Sequence, residues 1–251
     1  MSPLPPVSAM SHVPLNLRGC FVTGTDTDVG KTRISTALLH WCAQQGWSSA
    51  GYKPVAAGME CVGGEWVNDD VRALRQASSV ELTHAEVGPV QLKAACAPHI
   101  AAALEGRAIE LAALVAHAHT LSTRADVMVV EGAGGFCVPL GPQEDTADLA
   151  VALGLPVVLV VGMRLGCLNH ALLSAEAIRA RKLVLAGWVA NTTGTGMAYE
   201  EENLSTLRDE MQRRYQAPCL GVVPHLAQLG AAEVASFLDG AALRLLFSAR
   251  A

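Results

Sequence analysis

Residues 24–32 read "GTDTDVGKT". From Thr25 to Thr32 this stretch has the spacing of a phosphate loop, with Thr25 where a glycine usually opens the motif. It follows an apolar run, "CFVTG" (20–24), and leads into a helical pattern, "TRISTALLHWCAQQG". The strand–loop–helix context makes the motif credible, because amides of the loop and of the helix N-terminus can then hold β- and γ-phosphates. Lys31 adds a point charge, and the Thr32 hydroxyl can ligate Mg2+. The alternative is a glycine-containing turn before an ordinary helix. Asp26 and Asp28 pose a question of their own, since a loop that holds anions has no obvious use for carboxylates.

Outward from the loop, apolar runs alternate with helical patterns. The runs at 20–24, 49–55, 126–132, 156–162, 185–191 and 220–225 predict strands, and their Val-rich, non-alternating character suits a parallel sheet covered on both faces. Helices are expected at 31–46, 70–77, 109–122, 168–180, 200–215 and 232–247. The pattern predicts a doubly wound α/β fold of P-loop NTPase type, a mainly parallel sheet flanked by helices, with ligands at the carboxyl ends of the strands. A chain of 251 residues suits one such domain, 17–251. The Pro- and Ser-rich residues 1–16 predict a flexible tail, within which Met10 is a second candidate start.

Composition excludes several classes. The formal net charge is −5 and no basic tract occurs, which argues against nucleic acid as a partner. Seven cysteines without a CxxC pair argue against a disulfide framework or structural zinc and for a reducing compartment. The N-terminus lacks the charged start and apolar core of a signal peptide. The longest apolar run, 149–163, is broken by Gly154 and Pro156 and reads as helix end, turn and buried strand rather than a membrane span. A cytoplasmic protein is expected.

Other candidates lie at predicted strand ends. "DVMVV" delivers Glu131 and then "GAGG", in which Gly132, Gly134 and Gly135 allow close backbone approach to a ligand. A carboxylate so placed can hold Mg2+ directly or through water, or it can be a plain strand-end Glu. The run 49–55 carries Lys53, which either meets a bound anion or snorkels to the surface. In "VNDDVRAL", Asp70 stands at a helix start, where capping is common for Asp, and Asp69 can exchange roles with it. "GWVAN" ends in Asn191, whose amide can pair with an adenine edge or close a loop.

Taken together, the words "FVTGTDTDVGKT", "AGYKPVAAG", "NDD", "APHIAA", "VEGAGG", "LPVVLVVG", "LGCLNHALL", "LAGWVAN" and "VPHL" resemble those of the dethiobiotin synthases, in family order from about residue 20 to 226. The resemblance implies an ATP-dependent ligase of biotin biosynthesis. It would join CO2 to 7,8-diaminopelargonate (7,8-diaminononanoate) through a carbamate and a carbamic–phosphoric anhydride that the second amine closes to a cyclic urea. It implies Lys31 and Lys53 as the catalytic cations, and Thr32, Asp70 and Glu131 as the Mg2+ ligands. Nucleotide would be held by Thr27, Asp28, Val29, Gly30, Lys31, Thr32, Asp70, Glu131, Gly134, Asn191 and Pro224. The diamine would meet Lys53, Ala57, Cys96 and Pro98, with residues around Cys96, Pro98 and His99 lining its pocket. Its carboxylate would meet Gly166, Cys167, Leu168 and Asn169, near the interface of a homodimer. Asp28 would lie near metal, nucleotide or amine, while Asp26 pins the loop through backbone N–H groups. This chain departs from the family at Ala57, where many relatives have Ser, and at Cys96, where Ser or Thr is familiar.

Two other readings compete. Partitioning and cell-division ATPases carry a second loop lysine where this chain has Asp26, and cobyrinic and cobyric acid amide synthases need a glutaminase domain for which there is no room. A nucleotide-binding regulator without catalysis would have no use for Lys53 or for "LGCLNH".

Overall fold

The computed structural model describes residues 18–194, 196–225 and 230–248. The expected tail, 1–16, lies outside the described residues. The chain begins with β1 (Arg18–Gly24), α1 (Lys31–Gln44), β2 (Ser49–Tyr52) and β3 (Val55–Ala57). A hairpin of β4 (Glu60–Val62) and β5 (Glu65–Val67) precedes α2 (Asp69–Ala77), α3 (His84–Val87) and β6 (Val90–Leu92). Then come α4 (Pro98–Leu104), α5 (Leu111–Ser122), β7 (Val127–Glu131), α6 (Thr146–Leu153) and β8 (Val157–Gly162). The last part comprises α7 (Cys167–Ala180), β9 (Leu185–Asn191), α8 (Glu200–Tyr215), β10 (Cys219–Val223), α9 (Ala231–Ser236) and α10 (Gly240–Ser248).

The main sheet runs β10-β9-β8-β1-β7-β2, and every neighbouring pair in it is parallel. All residues of β7 and β8 are buried, which is why their sequences do not alternate. Because the strands are parallel, the ends of β1, β7, β8 and β9 open on one edge. The segment expected as helix end, turn and strand is found so: α6 stops at Gly154, whose φ of +66° suits a left-handed helix terminus, and β8 follows.

Two expected elements are divided. The run 49–55 pairs with β7 only as far as Tyr52. Pro54 has no N–H for the ladder, so the chain turns away. The Lys53 amide donates to the Val87 carbonyl at 2.7 Å, and β3 pairs with β6 in a separate two-stranded sheet. Helix 232–247 is likewise two helices. Leu238 forms an antiparallel bridge with Gly221, and the Asp239 amide donates to the Leu220 carbonyl at 2.7 Å. The Asp239 side chain then accepts from the Ala241 and Ala242 amides at 2.8 and 3.1 Å, restarting the helix as a cap.

Asp239→Ala is expected to lower stability by about 1 kcal/mol, the usual cost of losing such a cap. A shift of the urea midpoint at constant slope checks it; an unchanged midpoint would mean that the 238–239 break is held by the bridge alone.

Candidate active site

The turn between β1 and α1 is stitched to the strand beside it. The Thr25 amide donates to the Val160 carbonyl at 2.9 Å, and the Gly162 amide donates to Thr25 Oγ1 at 3.3 Å. Asp26 acts as the sequence suggested, its Oδ1 accepting from the Thr27 amide at 2.8 Å. Its other oxygen pairs with Arg164, a partner not expected from sequence. Asp28 is exposed and sits at φ +57°, in the left-handed region, so the loop holds it in a strained turn.

Gly30 closes the turn as the residue before α1, at φ +89°. A Cβ there would lie 2.1 Å from Asn191 Nδ2, so the position admits only glycine on two independent grounds. That Asn191 amide donates to the Val29 carbonyl at 2.7 Å, tying the loop to the end of β9. The loop-closing role weighed for Asn191 is therefore realised. Its Oδ1 is buried and without a hydrogen-bond partner.

Lys31 is buried, and its ammonium donates to the Asp26 carbonyl at 3.0 Å. Burial first, and repulsion from Lys53 second, lower its pKa from 10.5 to about 8, although Glu131, Asp70 and Asp28 oppose the shift. The charge is thus present at neutral pH but poorly compensated.

The centre of the site lies where β7, β2 and α2 meet. Tyr52 pairs with Val130 in the sheet, so one residue further along each strand brings Lys53 beside Glu131. Lys53 Nζ lies 2.6 Å from Glu131 Oε1, 2.8 Å from Asp70 Oδ2 and 3.2 Å from the Gly132 carbonyl. Its side chain is 4% exposed, which rules out a snorkelling surface lysine. Burial disfavours its charge, but Glu131 and Asp70 outweigh burial and hold the pKa above the usual lysine value. Asp70 moves the opposite way: burial would raise it, and Lys53 with Thr32 brings it below the usual carboxylate value.

Thr32 Oγ1 lies 2.6 Å from Asp70 Oδ1 and 2.8 Å from Glu131 Oε1. One hydroxyl proton cannot serve both carboxylates, so these oxygens are crowded around a place where a cation would relieve them. Glu131 Oε2 is buried without a partner, a second sign of the same kind. Two carboxylates and a hydroxyl suit Mg2+ completed by water and phosphate oxygens rather than an all-protein cage. Among the described residues there is no cluster of three His, Cys, Asp or Glu side chains suited to a metal. Asp69 does not share this place: it is exposed and pairs with Arg72 at 2.9 Å. Asp70 is also not the cap of α2, because Asn68 takes that role.

A cavity of about 960 Å³ joins these groups. Its wall brings together the expected Thr27, Asp28, Gly30, Lys31, Thr32, Lys53, Ala57, Asp70, Cys96, Pro98, Glu131 and Gly134. Val29, Asn191 and Pro224 are not in that wall. Val29 is buried, with its side chain against Gly162, and Asn191 is buried behind the loop. Gly166, Cys167, Leu168 and Asn169 also lie outside it, at the start of α7, and Cys167 is buried. His99, expected to line the same pocket, is not in the wall; its ring lies 3.2 Å from the Pro139 carbonyl. Sequence reasoning missed Asn68, which a cap preference just before "DD" could have revealed. It also missed Arg164, whose partner is 138 residues away and carries no local signal.

A family profile described as an AAA domain matches residues 18–233. Over 221 residues the chain is 54% identical to the ATP-dependent dethiobiotin synthetase BioD of Aromatoleum aromaticum, covering 88% of this chain and 96% of that one. Among solved structures, the MinC:MinD cell division complex of Aquifex aeolicus aligns with a TM-score of 0.53 at 12% identity, over 91% of this chain and 95% of that one. MinD of the same organism aligns at 0.51 and 12% identity, over 91% of this chain and 97% of the other. At that identity these two likenesses speak to the fold alone, a mainly parallel sheet of P-loop NTPase type.

In the nucleotide-free protein, Lys31→Met is expected to raise stability on the order of 2 kcal/mol at pH 7 while removing turnover. The folded-state pKa of about 8 lies below the free value of 10.5, so the fold carries the full cost of the charge below pH 8 and none above 10.5. The advantage of Lys31→Met should accordingly shrink as pH rises through that window. Denaturant melts across it check the sign; an advantage that grew with pH would refute the depressed pKa.

Proposed function

The chain belongs to the ATP-dependent dethiobiotin synthetase family and is a ligase that makes dethiobiotin in biotin biosynthesis; from that premise we propose how its own residues divide the work. The substrates in this reading are ATP, CO2 and 7,8-diaminopelargonate, and the place of action is the cytoplasm. Within the described residues no helix is long and apolar enough to cross a membrane.

The chemistry must bring two anions into line, a carbamate and a triphosphate. One amine of the substrate takes up CO2 as carbamate, whose oxygen attacks the γ-phosphorus and releases ADP. The second amine then attacks the carbamate carbon of the mixed anhydride, closing the cyclic urea and expelling phosphate. The residues must offset the repulsion between the anions and hold the reacting oxygen in line. The loop residues Thr27 to Thr32 receive the phosphates, with Lys31 turning from the Asp26 carbonyl to the transferred group. Lys53 faces the carbamate from the opposite wall. The single observation that carries this division is that both ammonium groups border one cavity, yet Lys53 is bonded to Glu131, Asp70 and Gly132 rather than to the loop. Mg2+ on Thr32, Asp70 and Glu131 would supply further positive charge to the phosphates.

Adenine would lie beyond the loop, near Asn191 and Pro224. The unpartnered, buried Oδ1 of Asn191 supports an acceptor role toward an exocyclic amine. On the other side, Ala57, Cys96 and Pro98 would receive the diamine. The segment Gly166–Asn169 stands outside its own chain's cavity, which supports a homodimer in which it meets the carboxylate of the neighbouring subunit's substrate. In this reading the two departures, Ala57 and Cys96, both in the cavity wall, would fall on the diamine side.

ADP release dependent on both diamine and bicarbonate, with a product of dethiobiotin mass, tests the reading; ADP release indifferent to diamine would defeat it. Within it, Lys53→Gln should keep the affinity for a non-hydrolysable ATP analogue within about tenfold, while turnover falls about a hundredfold or more. Calorimetry beside turnover decides. Parallel loss of both would move Lys53 to the nucleotide, and loss of neither would remove it from the reaction.

A further inference from the structure

Asn68 is 5% exposed and touches both sides of the cavity without lining it. Its Oδ1 accepts from the amides of Asp70 at 3.1 Å and Val71 at 3.2 Å, fixing the first turn of α2. Its Nδ2 donates to the Gly58 carbonyl at 2.9 Å and approaches the Ala57 carbonyl at 3.4 Å. One planar amide therefore joins the helix that presents Asp70 to the strand end that forms the wall at Ala57 and Gly58. Both ends of the link need it. Asp70 stands at the second position of α2, where its backbone direction is set by the cap. Gly58 sits at φ +87°, where the chain leaves β3 for the β4–β5 hairpin; its amide donates to the Leu92 carbonyl at 2.9 Å, and Asn68 takes up its carbonyl.

We propose that Asn68 is a positioning residue that holds the metal carboxylate Asp70 and the diamine wall at Ala57–Gly58 in one fixed relation. The proposal rests on the preceding assignment of those two groups. The chemistry requires such a relation, because the carbamate must reach the γ-phosphorus in line, and an error of about 1 Å in reactant placement can cost about a hundredfold in rate. No other residue type serves both ends at this size. Ser and Asp can cap but cannot donate across to Gly58, while Ala does neither.

The two ends can be tested separately with Asn68→Ser, Asn68→Ala and the control Asp70→Ala. Three quantities are read for each: thermal melting, the affinity of the protein–ADP complex for Mg2+ by calorimetry, and the diamine KM. Asn68→Ser keeps a cap, so Mg2+ affinity should stay within about threefold while the diamine KM rises about tenfold. Asn68→Ala should weaken Mg2+ about tenfold and raise the diamine KM at least as much as Asn68→Ser. If Asn68→Ala does not fold, the Asn68→Ser split still decides. A lowered melting temperature with Mg2+ affinity and KM both unchanged in the folded variants would overturn the proposal, as would Asn68→Ser losing Mg2+ affinity as severely as Asp70→Ala. Should Asp70→Ala itself leave Mg2+ affinity unchanged, the assignment of the metal site fails, and that failure is visible apart from the behaviour of Asn68.

Discussion

A lysine ammonium sits between a fully buried glutamate and a half-exposed aspartate, and the architecture of the site follows from satisfying that arrangement. Glu131 is 0% exposed at the end of a central strand, so its charge must be matched. Removing one partner of such a buried pair typically costs about 3–5 kcal/mol, more than most single contacts in a protein contribute. Matching it fixes where β2 must stop, because only the residue after Tyr52 falls beside Glu131. It also fixes how α2 must approach, since Asp70 reaches Lys53 from the helix start. Asp70 is the open end of the group, its side chain 40% exposed, and faces the cavity from which ligands would come.

The loop follows a different logic. Its acids do not meet the phosphate path in the same way. Asp26 turns its carboxylate to a neighbouring amide and to Arg164, and its carbonyl takes up the Lys31 ammonium. These charged groups of the loop are thus taken up within the protein itself. Compensation of Lys31 is nonetheless incomplete, as its lowered pKa indicates. A cation kept buried and under-compensated gains more from a polyanion than one already satisfied, and the proposed binding of phosphates would draw on that gain.

Much of this was legible in the sequence because it is local. The phosphate loop is eight consecutive residues, Thr25 to Thr32, and the six runs that predict the main sheet are continuous and Val-rich. The errors arose where non-local pairing overrides a local pattern. The run 49–55 looks like one strand, but Pro54 and the backbone partners offered by Val87 and Val90 take its second half elsewhere. The helical pattern 232–247 is continuous, but bonds to Leu220 and Gly221 interrupt it. In the site, Lys53, Glu131 and the loop could be read as strand-end residues that face one edge. Choosing between Asp69 and Asp70 needed the helix phase that Asn68 sets, and Arg164 became visible only once β8 lay beside β1.

The departures at Ala57 and Cys96 can be weighed on the same footing. The wall near Ala57 keeps its place through main-chain groups: β3 pairs with β6, the Gly58 amide donates to the Leu92 carbonyl at 2.9 Å, and Asn68 holds the Gly58 carbonyl. None of these bonds involves the Ala57 side chain. A methyl group in place of a hydroxyl there leaves the wall's position untouched, so on the proposed assignment its effect would fall on the ligand side alone. Cys96 is exposed in the cavity wall just before α4, whose first residue, Pro98, is suited to a helix start by its fixed φ and missing N–H. Its thiol is a weaker hydrogen-bond partner than a hydroxyl. On the proposed division of the site, the expected consequence of both changes is weaker substrate capture with intact phosphate chemistry, because the groups assigned to the triphosphate are held by β1, β7 and α2, through bonds in which neither side chain takes part.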